Sequence, residues 1–141
     1  MTAKELMTAN PACCTMETSL ADVARMMVQC DCGEIPVVER QDTKRIVGVV
    51  TDRDIVVRGV AQGKDCATVN AGAVMSSPAI TVKERDGVDE VVRVMEANQI
   101  RRVPVVNQAG EICGIIAQAD IARTGSQKET GELVREVSAP R

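Results

Sequence analysis

Ile35-Pro36-Val37-Val38 and Val103-Pro104-Val105-Val106 are two copies of one short run, and Met7-Thr8 and Met75-Ser76 form a second matched pair. Both pairs stand 68 positions apart, from 35 to 103 and from 7 to 75. A repeat of that period is read before local structure, because each copy is one supersecondary unit. Between the anchors, Leu20, Val23, Ala24 and Met27 correspond to Val88, Val91, Val92 and Met95. Each set follows the spacing of a single helical face, so each copy carries an amphipathic helix. Ser19 and Asp22 have capping-box spacing at the first helix start, and Asp86 is the expected N-cap of the second.

Beyond the Pro-Val-Val runs the offset falls to 66, aligning Gly48-Val49-Val50-Thr51-Asp52-Arg53-Asp54 with Gly114-Ile115-Ile116-Ala117-Gln118-Ala119-Asp120. The first copy's loop around Gln41-Asp42-Thr43-Lys44 is longer by two residues. Polar loops between short Val/Ile-rich runs predict paired buried strands. Each copy therefore reads strand, helix, strand, strand, helix, over 12–16, 19–30, 35–38, 45–50 and 52–62, then 79–83, 87–98, 103–106, 111–116 and 118–124. The chain divides into repeat 1 over 4–64, a linker with a short helix ending near Met75 over 65–77, repeat 2 over 78–124, and a polar tail over 125–141. In the tail, Leu133, Val134 and Val137 offer one further helical face. A domain of about 60 residues buries only about 60% of its unfolded surface. Two copies are thus expected to pack as one α/β (α+β) module with pseudo-twofold symmetry, sharing an aliphatic core.

Composition removes several functions. Of the 141 residues 45% are apolar, yet Phe, Tyr, Trp and His are all absent and the net charge is -3. Without aromatic platforms or a basic field, nucleic acid is not an expected ligand. Without histidine there is no Ser/His or Cys/His pair and no imidazole metal ligand. The polar start Met1-Thr2-Ala3-Lys4-Glu5, with no apolar run near the ~18 residues a bilayer span requires, predicts a cytoplasmic protein without membrane association. The six cysteines are expected to be reduced, since an aliphatic core of this size needs no disulfide framework.

The Met-Thr/Ser start, the apolar-Pro-Val-Val strand and the Gly segment leading to an Asp at a helix start together resemble the cystathionine β-synthase (CBS) domain, and the pair resembles a Bateman module over about residues 4–124. Thr51-Asp52-Arg53-Asp54-Ile55-Val56 and Gln99-Ile100-Arg101-Arg102-Val103-Pro104-Val105-Val106 further resemble small stand-alone bacterial CBS-pair proteins, including those similar to hypoxic response protein. The resemblance implies βαββα repeats, no enzyme activity, no tightly bound cofactor, and an adenine nucleotide (AMP, ADP, ATP or NAD) as a reversible ligand. It also implies a regulatory role in signal transduction and assembly as a homodimer.

By the same resemblance, Asp54 takes ribose hydroxyls, Thr51 takes nearby sugar or phosphate oxygens, and backbone groups read the adenine edge. A carboxylate accepts from both hydroxyls of a vicinal diol, and a hydroxyl at a helix start lies where N–H groups favour anions. The implied main cleft adds Pro78, Ile80 and Val103, with Arg101, Arg102 or Arg53 for phosphate, because guanidinium is a permanently charged planar fork. The implied second cleft joins Asp120 to Cys13, Cys14, Glu34 and Ile35. It departs from the family pattern, with Ala117 in place of a threonine and Glu34 in place of an arginine. Losing a hydrogen bond to a charged group costs about 1.5–3 kcal/mol, so this second position is expected to bind tens-fold more weakly.

Plainer readings stand beside these. Thr51-x-x-Asp54 is also an ordinary capping box, although that reading does not cover Asp120, which has Ala117 as its counterpart. Arg101-Arg102 fits a solvated pair at a strand start. Met26, Met27, Met75 and Met95 fit core filling. Cys13-Cys14 and Cys30-x-Cys32 lack zinc-clamp spacing and default to buried thiols, with Cys66 expected to be the most exposed. Two alternatives to nucleotide sensing follow: a ligand-free dimeric scaffold that docks on an unknown protein partner, and a thiol redox sensor using Cys13, Cys14, Cys30 or Cys32.

Overall fold

The computed structural model describes residues 1–124. The proposed face at Leu133, Val134 and Val137 lies outside them. In order, the elements are α1 (Ala3–Leu6), β1 (Thr8–Ala9), β2 (Cys14–Thr15), α2 (Leu20–Cys30), β3 (Glu34–Val38), β4 (Ile46–Thr51), α3 (Asp52–Asp54), α4 (Ala71–Val74), β5 (Val82–Lys83), α5 (Val88–Asn98), β6 (Arg102–Val106), β7 (Ile112–Ala117) and α6 (Gln118–Ala122). They form two compact units. The first is Ala12–Ala79, and the second is Met1–Pro11 together with the described residues from Ile80.

In the first unit β2 pairs parallel with β3, and β3 pairs antiparallel with β4. In the second, β5 pairs parallel with β6, β6 antiparallel with β7, and β1 antiparallel with β7. The repeat is reproduced at the level of register. Val37 faces Gly48 as Val105 faces Gly114, and each ladder shifts at the next residue. Strands this rich in β-branched residues suit a buried pleat, and Pro36 and Pro104 are both buried within them.

The two long helices bury the faces that their spacing predicts: Leu20, Val23 and Met27 on α2, and Val91, Val92 and Met95 on α5. Ser19 caps α2 by accepting from Asp22 N at 3.1 Å. At α5 the expectation is corrected, since Gly87 is the N-cap and Asp86 accepts from Lys83 N at 2.8 Å. Asp86 therefore closes the turn ahead of the helix instead of capping it. Both helices end on a left-handed residue, Asp31 (φ 50°) and Gln99 (φ 53°).

The buried residues gather in two clusters, one within each unit. Leu20, Val23, Ile35, Val37, Val50 and Val74 belong to the first, and Leu6, Val91, Met95, Val103, Ile116 and Ile121 to the second. Each unit is completed by the short helix that precedes a Met-Thr/Ser pair. Ala71 N donates to Thr18 O at 2.7 Å and Gly72 N to Met16 O at 3.0 Å. Ala3 N donates to Asp86 O at 2.7 Å and Lys4 N to Glu84 O at 3.1 Å, in the same relation.

The segment after β4, expected as an uninterrupted helix, changes pitch. The α-turn Asp52–Asp54 passes into a wide π-turn over Ile55–Gly59 and a 3-10 turn over Val60–Gln62, which stops at Gly63 (φ 71°). The wide turn lays Gly59 against the first core, where an added Cβ would stand 3.0 Å from Leu20 Cδ1. Ile55 and Gly59 are buried as a result, while Val56, Val57 and Val60 are exposed. A π-turn is an inserted residue in a helical ladder and recurs at functional positions.

Candidate functional site

Each unit carries its aspartate at the junction where the last long strand turns into a helix. Thr51 ends β4 in an extended conformation, and its hydroxyl accepts from Asp54 N at 3.1 Å. Asp54 Oδ2 accepts from Thr51 N at 3.0 Å, closing the reciprocal box. The bland capping reading of this pair is therefore realised. It uses only one carboxylate oxygen, and among the described residues Asp54 Oδ1 has no partner. Asp54 is only 9% exposed. Burying a carboxylate is costly unless its lone pairs are satisfied, so the spare oxygen is the chemically notable one.

In the second unit Ala117 occupies the cap position and Asp120 Oδ2 accepts from Ala117 N at 2.7 Å. Capping thus extends to Asp120, contrary to the expectation that a missing hydroxyl excludes it. The carboxylate half of the box needs only a backbone N–H at position 117. The other oxygen, Oδ1, accepts from an Arg123 guanidinium N–H. Spacing drew attention to position 117 and missed this arginine, which lies at the i, i+3 distance where helical side chains meet.

The remaining expected site residues fall as follows. In the first unit, Glu34 stands in register opposite Thr51, Ile35 is buried, and Arg53 is exposed. Cys13 and Cys14 are both buried, and Pro78, exposed, follows a cis peptide bond from Ser77. In the second unit, Arg102 stands in register opposite Ala117, Val103 is buried, and Arg101 and Ile80 are exposed. Among the described residues the guanidinium groups of Arg53, Arg101 and Arg102 form no ion pair.

The thiols bear on the redox alternative. Burial pushes the Cys14 thiol up to about 12, with Cys13 adding to the effect, and burial likewise raises Cys13. Raised values leave little thiolate, the reactive form, near neutrality. The exposed cysteine is Cys30, whereas Cys66 is half-buried against the first core, which corrects the expectation for that pair. Among the described residues no group of three or more His, Cys, Asp or Glu is placed to hold a metal ion. Nor is any helix among them long and apolar enough to cross a membrane.

A cavity of about 890 Å³ in the second unit contains none of the expected site residues. Lys4, Lys83 and Arg85 share its wall with Glu84 and Asp86, and Lys4 pairs with Glu84 at 3.8 Å. It therefore presents no single sign of charge.

Both units run strand, helix, strand, strand, and each sets an aspartate at the start of the following helix, six residues after a strand glycine. The family model described as CBS domain matches residues 3–59 and 71–126, and the chain belongs to that family. Hypoxic response protein 1 of Mycobacterium tuberculosis is 34% identical over 139 residues, covering 99% of this chain and 95% of that protein. A crystal structure of Hypoxic Response Protein I with two coordinated zinc ions is 36% identical, with a TM-score of 0.80 over 87% of this chain and 98% of that one. The CBS domain protein PAE2072 from Pyrobaculum aerophilum, complexed with AMP, is 30% identical, with a TM-score of 0.79 over 96% of this chain and 99% of that one.

Proposed function

We propose that this chain is a cytoplasmic regulatory module that binds an adenine nucleotide reversibly and passes on its state through a change in conformation or oligomer. The supporting observation is Asp54: a buried carboxylate, oriented by its bond to Thr51 N, with the other oxygen uncommitted. A vicinal diol supplies the donors that such an oxygen accepts, and a related protein is complexed with AMP. Thr51 and Asp54 are the proposed ribose contacts, with Pro78 of the same unit beside the base. Arg53, on the same segment as Asp54, would meet phosphate as a permanently charged fork.

A ligand moves an equilibrium only by its preference between two states, and at about 100 times its dissociation constant it adds about 2.7 kcal/mol of stability. Calorimetry and thermal unfolding with AMP, ADP, ATP and NAD test the reading. One or more should bind and raise the melting temperature, and Asp54→Asn should lose the response. Silence of the folded wild-type protein toward all four would refute it.

Exposed Val56, Val57 and Val60 favour a second reading, a ligand-free scaffold that dimerises or docks through this apolar turn. Sedimentation of wild type and of Val56→Glu/Val60→Glu separates the two. A dimer broken by the charges, with no adenylate binding in either protein, selects the scaffold.

A further inference from the structure

We infer that Arg123 is the residue that decides which of the two carboxylates takes a ligand: its guanidinium occupies Asp120 and reserves adenylate binding for Asp54. This rests on the nucleotide reading above. The two aspartates share backbone placement, near-complete burial and one oxygen given to the cap N–H. They differ in the second oxygen. That of Asp54 is uncommitted, whereas that of Asp120 already accepts a charge-assisted bond from Arg123.

The difference follows from sequence and helix pitch. At the offset of 66, Arg123 corresponds to Val57, which has no donor. Of the cations on that segment, Arg53 forms no ion pair among the described residues, and Arg58, carried round the π-turn, donates to the carbonyl oxygens of Val74 at 3.1 Å and Met75 at 3.4 Å. Nothing on the first segment therefore covers Asp54. Arg123 plays toward Asp120 the part a sugar diol would play, an N–H donor into an acceptor-only group. A neutral hydroxyl arriving there must replace a stronger ionic hydrogen bond. The Arg123 side chain is 73% exposed, so removing it leaves the core untouched and uncovers the carboxylate. The weaker second position thus has a cause beyond the lost hydroxyl at 117 and the charge of Glu34.

Isothermal titration of adenosine and AMP into wild type, Asp54→Asn, Arg123→Ala and Asp54→Asn/Arg123→Ala tests this. Arg123→Gln is run in parallel as the conservative variant, and melting curves confirm folding. Wild type should bind one equivalent and Asp54→Asn none over the same range. The double variant should regain one equivalent, a gain in affinity at Asp120 on the order of tenfold or more. If wild type binds and the double variant stays as silent as Asp54→Asn, the role of Arg123 is overturned and the nucleotide reading stands. Two equal sites in wild type overturn it equally. If wild type binds neither compound, the nucleotide reading fails and this inference falls with it.

Discussion

Thr51 and Asp54 each serve the fold before they serve a ligand, and substitutions have to separate the two duties. Thr51→Ala removes the hydroxyl that accepts from Asp54 N. It should cost about 1 kcal/mol in denaturant unfolding, the usual loss for a helix cap, and weaken adenylate binding as well. Asp54→Asn keeps an acceptor for Thr51 N, so it should unfold near the wild-type midpoint while its titration is flat. Cys14 gives a pH prediction of definite sign. Its folded value of about 12 lies above the ordinary 9.0, so the native state holds the proton that the unfolded chain releases. Stability is therefore full below about pH 9 and lost as pH rises toward 12. Cys14→Ala should flatten that alkaline loss in unfolding curves recorded from pH 8 to 11. The Thr51-x-x-Asp54 box is legible from spacing alone, because a cap is a local contact. The use of the spare oxygens is not, since a side chain three residues along can turn to the carboxylate or to water, and only packing chooses.

Gly48 and Gly114 hold the Met-Thr/Ser segments against the strands. A Cβ at Gly48 would stand 2.7 Å from the Ser76 carbonyl oxygen, and one at Gly114 would overlap Met7 Sδ and stand 2.6 Å from Met7 Cγ and 2.8 Å from Met7 Cβ. Each alanine substitution should destabilise by about 1–3 kcal/mol, as overpacking does. Gly114→Ala should be no milder, because Met7 Sδ, Cγ and Cβ all crowd that position and Cβ moves only with the backbone. Helices α2 and α5 and the four long strands were readable because their apolar residues recur with the helical or the alternating period. Helix α1 and strand β1, of four and two residues, are too short to show any period. Ala3–Leu6 lies 68 positions before Ala71–Val74, but a reading that begins each copy at a strand does not use that correspondence. The π-turn after α3 left no trace in the sequence, because one inserted residue in a run of valines disturbs no pattern.

At the scale of the molecule, the repeat boundary and the packing boundary do not coincide. Met1–Pro11 packs with the second unit, although sequence order sets it ahead of the first. Self-similarity cannot reveal this, because a segment that matches both copies carries no record of which sheet it joins. Leu6, 9% exposed, lies in the cluster with Val91, Met95 and Ile116. Leu6→Ala should cost about 2–5 kcal/mol, and hydrogen exchange should show the loss in amides of α5, β6 and β7.

The first unit is one continuous stretch, whereas the second is gathered from two stretches on either side of it. During translation all of Ala12–Ala79 is available for pairing before any of the chain from Ile80 has appeared. Strand β1, made earlier, has to wait until β7 emerges. A segment made before the first unit thus finds its partners only after that unit is complete, and any pause beyond Ile80 lengthens the time for which Leu6 and Met7 stay uncovered.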